Sequence, residues 1–222
     1  MSTQRNQGPS PALRHYRTLL LVLPSLLLVG CALTSKSETI PLRYFSPERS
    51  GDIQKPLSPP VGLAAELRIG HVSAASYLDE RMVFRDSAFE LGYYQEKRWT
   101  EAPEEYLRRQ LERALFEERG LRHVVGGSAL TLEVELTAFE EIRQPKRIAR
   151  VQVSVRLQDS RLVRWQQTLT VDQPVEEGEK DALADAMVEA LGIALATVVN
   201  EVAERVTKEL TPPVAQVHDE KK

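Results

Sequence analysis

Leu130-Thr131-Leu132-Glu133-Val134-Glu135-Leu136-Thr137-Ala138 alternates apolar and polar residues with a period of two, and the pattern returns twice. Ala149, Val151, Val153, Val155 and Leu157 alternate with Arg150, Gln152, Ser154 and Arg156, and Val163, Trp165, Leu169 and Val171 alternate with Arg164, Gln166, Thr168 and Thr170. Successive side chains of a strand point to opposite faces, so each run supplies one apolar and one wet face. The connections are short: a polar loop through Gln144-Pro145-Lys146 and a turn at Asp159-Ser160. Such strands predict an antiparallel meander, and that decides the class. The fold is expected to be α+β, an antiparallel sheet including this C-terminal three-strand meander, with two amphipathic helices packed on it.

Downstream, Leu183, Met187, Leu191, Ala194, Val198, Val202 and Val206 recur at three- and four-residue spacing. They predict a long helix that starts at Asp181 or a near neighbour and is ended by Pro212-Pro213. Its length leaves two uses open for a second apolar flank: contact with a partner, or simple packing across the meander. Upstream, Pro103 suits the first turn of another helix, and Glu104 and Glu105 complement its N-terminal dipole. Leu107, Leu111, Ala114 and Leu115 form its apolar stripe and Gly120 its stop. Before it, residues 63–69, 81–85 and 89–94 read as three short strands, with Asp86-Ser87 turning between the last two.

The N-terminal residues 1–30 carry Arg5, Arg14 and Arg17 and no acid, and 19–30 form a short apolar run interrupted by Pro24. A spanning helix needs roughly 20 apolar residues, so an export signal fits better. The run ends in Leu28-Val29-Gly30-Cys31, and Cys31 is the single cysteine of the 222 residues. The tetrapeptide resembles the lipobox of bacterial lipoproteins, which implies cleavage before Cys31 and lipidation of its thiol and new amine. Ordinary cleavage after Ala32 is the competing reading, because Gly30 and Ala32 are both small. Ala32 in place of aspartate favours, by the lipoprotein sorting rule, the periplasmic face of the outer membrane. Pro41, Pro47, Pro56, Pro59 and Pro60 make 31–60 a semi-extended tether, with Leu42-Arg43-Tyr44-Phe45 as a short strand docked on the domain edge. One domain over 61–210 follows, then a charged tail over 211–222 read as disordered.

Removing Arg5, Arg14 and Arg17 from 29 bases leaves 26 against 32 acids. An acidic mature chain argues against a nucleic-acid partner. His71, His123 and His218 lie far apart without cysteines or acids at ligand spacing, so no metal site is expected. Gly126-Gly127 lacks the Lys-Ser/Thr of a phosphate loop, and Gly126-Gly127-Ser128 lacks the second glycine flank of a nucleophile elbow. Glu133 and Glu135 share a strand face and read as solvated surface. The expectation is no cofactor, no catalytic residue and no enzyme.

Tyr77-Leu78-Asp79 with Arg81-Met82-Val83-Phe84-Arg85, then Leu91-Gly92-Tyr93-Tyr94, Arg98-Trp99, Pro103 and the Leu107/Leu111/Leu115 helix follow one order. That order resembles the ABC-type transport auxiliary lipoproteins, the PqiC-like family, across residues 42–206. The resemblance implies a periplasmic lipoprotein, membrane-bound by its lipid anchor, that serves an ABC permease and ATPase carrying an MCE (mammalian cell entry) domain protein. Such systems move phospholipid or other hydrophobic molecules between two membranes and support outer-membrane integrity. The implied role is docking, with a homo-oligomeric ring as one form of it. Tyr93, Tyr94, Arg98 and Trp99 are the candidate partner contacts, since aromatics and arginine dominate hot spots. The alternative is that Tyr93 and Trp99 close the core under the first helix. A scaffold lipoprotein of another envelope machine and a lipid carrier with its own apolar cavity are the competing functions.

Overall fold

In chain order the elements are β1 (Arg43–Phe45), β2 (Glu66–Ala74), β3 (Arg81–Arg85), β4 (Leu91–Trp99), α1 (Pro103–Glu112), a π-helical continuation (Arg113–Glu118), β5 (Arg122–His123), β6 (Leu130–Ile142), β7 (Ile148–Gln158), β8 (Val163–Pro174) and α2 (Lys180–Leu210). They come from a computed structural model, which describes residues 41–48, 65–176, 178 and 180–211. The signal segment, Cys31, most of the tether and the tail from 212 lie outside the described residues.

The meander is β6, β7 and β8, paired antiparallel, with Val134 opposite Val155 and Val151 opposite Val171. Leu132, Val134, Leu136, Val151, Val153, Val155 and Leu157 are buried, as period-two alternation requires of one face. A register shift between Leu136 and Ala138 changes the phase of β6, so Phe139 turns into the core and meets Trp99.

β6 is long enough for two strands to share its other edge. β2 runs parallel along Leu130 to Leu136, and β3 runs parallel along Glu140 to Ile142. Tyr77 stands where they part, its hydroxyl donating to the Thr137 carbonyl at 2.7 Å. β4 pairs antiparallel with β3, β1 lies parallel on β4, and β5 lies parallel on β2. The α+β class holds, and parallel pairs join the antiparallel ones because β3, β4 and α1 intervene between β2 and β6.

Two details differ from the alternation. The strand expected over 89–94 begins at Leu91 and runs on to Trp99. The Ser87 hydroxyl accepts from the amides of Phe89 and Glu90, holding them in the hairpin loop and leaving Phe89 99% exposed. β2 continues past Ile69 to Ala74 through an irregularity at Gly70-His71.

α1 buries Tyr106, Leu107 and Leu111, and its π-helical continuation buries Ala114 and Leu115 before Gly120 turns the chain at φ 67°. By length and composition α2 is apolar enough to cross a membrane. Its second flank has a local use, however: Ala184, Val188, Leu195 and Val199 are buried along with Met187, Leu191, Val198 and Val202. The helix packs on β7 and β8 and also on α1 with its continuation, so a wide apolar stripe is covered.

Residues 41–48 dock on the same unit, which begins at Pro41. The Thr100 amide donates to the Phe45 carbonyl at 3.0 Å, and Glu48 accepts from Arg109 at 2.8 Å. Pro47 is buried, and its carbonyl occupies the space a Cβ on Gly192 would need.

Candidate functional site

The residues singled out as contacts all lie on β4, whose pairing with β3 is interrupted: Arg81 sits opposite Arg98, but Val83 sits opposite Tyr93. The extra residues form a wide bulge that re-aims their side chains. Arg98 closes it by folding back, its Nη1 donating to the carbonyls of Tyr94 at 2.8 Å and Lys97 at 2.9 Å.

Around this bulge the chain builds two clusters. In the first, Asp79 accepts the Arg81 amide at 2.6 Å and its guanidinium at 2.7 Å. The hydrogen bond from Arg81 holds the Asp79 carboxyl below the ordinary carboxylate range. The Arg81 guanidinium lies 3.9 Å from the centre of the Tyr93 ring, and the Tyr93 hydroxyl donates to the Tyr77 carbonyl at 3.1 Å. Burial, with Glu140 adding to it, raises the Tyr77 phenol. Leu78, Asp79, Glu80, Arg81, Arg98 and Glu104 line an open cleft of about 440 Å³ here. It offers charge of both signs and backbone, a surface suited to a polar partner segment.

The second cluster is centred on Glu141, fully buried near the end of β6. Tyr94 donates its hydroxyl to Oε2 of the carboxylate, which Arg143 approaches at 3.5 Å, and Arg147 reaches Oε1 at 3.2 Å. The Arg143 guanidinium also covers the Phe84 ring at 3.5 Å, and the Lys97 ammonium lies 3.8 Å from the centre of the Tyr94 ring. Burial is the main cause pushing the Tyr94 phenol up to about 12, and desolvation lowers the Lys97 ammonium. Next to it Glu140 takes a two-pronged bond from Arg85 at 2.9 and 3.1 Å.

The structure therefore divides the four candidates. Arg98 lines the cleft, Tyr93 meets it only through Arg81, whose guanidinium covers its ring, and Tyr94 binds the buried carboxylate. Trp99 is 1% exposed, packed at 5.0 Å from Phe139 and 6.4 Å from Tyr106, with its amide donating to the Glu80 carbonyl. Cys31 lies outside the described residues. Glu140 and Glu141 are the structural residues that sequence reasoning missed. Their signal was the lapse of alternation at Phe139-Glu140-Glu141, with Arg143 and Arg147 close behind. Among the described residues no group of His, Cys, Asp and Glu is placed to hold a metal ion.

The fold is shared with solved structures. Protein XCC0632 from Xanthomonas campestris is similar at a TM-score of 0.61 and 20% identity, covering 75% of this chain and 96% of that one. An uncharacterised protein matches at 0.57 and 15% identity, covering 75% and 99%. No curated protein matches. The model of the family described as the ABC-type transport auxiliary lipoprotein component matches residues 52–203. With more than half its length inside that match, the chain belongs to the family of ABC-type transport auxiliary lipoprotein components.

Proposed function

We propose that this chain is the lipid-anchored periplasmic subunit of a transport system built from an ABC permease and ATPase and an MCE-domain protein. Its work is docking: it receives the MCE assembly at the outer membrane and so supports the passage of phospholipid or another hydrophobic cargo. The family match over residues 52–203 carries this reading. In it, Cys31 is the acylated residue. Several acyl chains hold a domain where one binds only marginally. The partner surface is the cleft lined by Arg81 and Arg98, with Tyr93 holding Arg81 through its ring, Tyr94 tying the bulge to Glu141 and Trp99 supporting it from the core.

The test is capture from detergent-solubilised membranes through a tag on the C-terminal tail. Recovery of an MCE protein with an ABC permease or ATPase is expected, and recovery of none of them overturns the reading. Replacing Arg98 by Ala should reduce capture by more than its small effect on the melting temperature explains, since Arg98 also satisfies two carbonyls of the bulge. Cys31→Ser should leave the melt unchanged and free the protein from membranes washed at high salt, which releases charge-dependent contacts but not acyl chains; a variant that stays with the salt-washed membranes rejects the anchor assignment.

A further inference from the structure

Two neighbouring loops at one end of the sheet present aliphatic side chains to solvent. The first, residues 124–129, leads from β5 into β6 and carries Val125, 91% exposed. The second joins β7 to β8 and carries Leu162, 62% exposed, followed by Val163, 49% exposed. The register makes them neighbours, because Thr131 at the start of β6 pairs with Gln158 at the end of β7.

Both loops are built rather than loose. The Val124 amide donates to the Leu67 carbonyl at 3.1 Å, and Arg68 donates to the Gly127 carbonyl at 3.0 Å. Asp159 accepts the amides of Arg161 at 2.7 Å and Leu162 at 2.8 Å, and its own amide donates to the Leu162 carbonyl at 3.0 Å. The turn thus fixes Leu162 at an apex.

Cations surround these tips. Arg161 is exposed beside Leu162; Arg164 pairs with Asp159 at 3.0 Å and Arg122 with Glu66 at 2.8 Å, all on the surface. Such exposed pairs are weak and re-form readily with another anion. Single aliphatic tips on raised loops do not form the continuous apolar patch of a protein interface. Aliphatic tips ringed by arginine instead match a bilayer boundary, where acyl chains take the apolar groups and anionic headgroups take the guanidinium groups.

The opposite end of the sheet also exposes an apolar residue, Phe89, but there the charge is unfavourable. Phe89 lies between Asp86 and Glu90, and Glu176 follows Val175, whose amide bonds the Arg147 carbonyl. The arginines there, Arg143 and Arg147, both turn to the buried Glu141, a pair that does not open as the surface pairs do. That leaves Lys146 as the exposed cation of that loop. Charge selects the Val125/Leu162 end.

We propose that the loops bearing Val125, Leu162 and Val163 form a second membrane contact, seated on an anionic phospholipid surface. This contact is separate from the acyl anchor and from the docking cleft. The experiment uses the fragment 41–222, which contains every described strand and helix and lacks Cys31, so its outcome does not depend on the anchor or docking readings.

Co-sedimentation is measured with vesicles of phosphatidylcholine alone and of phosphatidylcholine mixed with phosphatidylglycerol. The fragment should pellet with the mixed vesicles, less with phosphatidylcholine alone, and less as salt rises. The double variant Val125→Asp/Leu162→Asp should lower binding by about tenfold or more. Arg161→Glu, which keeps its backbone bond to Asp159, should lower it by about fivefold. Phe89→Asp, at the far end, should bind like the parent. Should the double variant unfold, Arg161→Glu decides. Absence of pelleting with the mixed vesicles, equal pelleting with phosphatidylcholine alone, or a loss in Phe89→Asp matching that of the loop variants overturns the proposal.

Discussion

Tyr94 spans both aspects of β4, since its carbonyl holds Arg98 and its hydroxyl holds Glu141. Burial pushes its phenol up to about 12, against about 10 in the unfolded chain. A group whose folded value is raised contributes stability that is fully present below its unfolded value and lost as pH rises through the folded one. The domain should therefore lose up to about 2 kcal/mol between pH ~10 and ~12 on account of this residue, partial exposure keeping the figure below the full linkage value. In Tyr94→Phe the fall across that window should be visibly flatter, as read from urea melts at stepped pH. Parallel curves for the two proteins would remove Tyr94 as the cause. At this scale the sequence reported residue types well and environments poorly. Tyr93, Tyr94, Arg98 and Trp99 stood out as large and adjacent, but the bulge that sends Trp99 into the core and Arg98 back onto its own strand depends on where β3 pairs. That pairing is a tertiary fact. Glu141 was hidden for the same reason, because its burial rests on Arg143, Arg147 and Tyr94 arriving from two other segments.

Periodicity was most informative at the level of the element. The meander, both helices and the stop at Gly120 follow from spacing, since strands and helices bury one face at periods of 2 and 3.6. What covers a face is not encoded in its period. The second flank of α2 was compatible with a partner or with the core, and the structure gives it to α1 and its π-helical continuation. Two substitutions on one helix separate these uses. Leu195→Ala removes a fully buried side chain and should cost about 2–4 kcal/mol, whereas Ile193→Ala, 45% exposed, should stay within about 0.5 kcal/mol. Equal costs, measured by denaturant unfolding, would mean that the helix is packed otherwise. The hairpin loops show the converse limit. Phe89 fitted the alternation of its strand, but Ser87 captures the amides of the turn and ends the pairing before it.

For the molecule as a whole, the main question is where the tether stops and the domain starts. Proline content makes residues 31–60 read as tether apart from the short strand expected at Leu42-Arg43-Tyr44-Phe45, which the structure has as β1, but composition cannot register a single close contact. Residues 41–48 carry both. β1 adds to the free edge of β4 directly beside the bulge, Phe45 packs half-buried against the core, and Pro47 lies against α2 where only a glycine leaves room for its carbonyl. Glu48 then clamps Arg109, and this hydrogen bond is the main cause raising the guanidinium further. A chain entering through β1 joins the strand that bears Tyr93 and Arg98, so in the proposed function a pull on the anchor would reach the docking strand through β4. Fragments beginning at 41 and at 49 should accordingly differ in stability by about 2–4 kcal/mol, from lost strand hydrogen bonds and apolar burial. Gly192→Ala in the longer fragment should reproduce part of the loss, because the added methyl displaces Pro47. Thermal melts of the three proteins check it. If the shorter fragment melts with the longer one, residues 41–48 are tether in energy as well as in composition, and force on the anchor bypasses the docking strand.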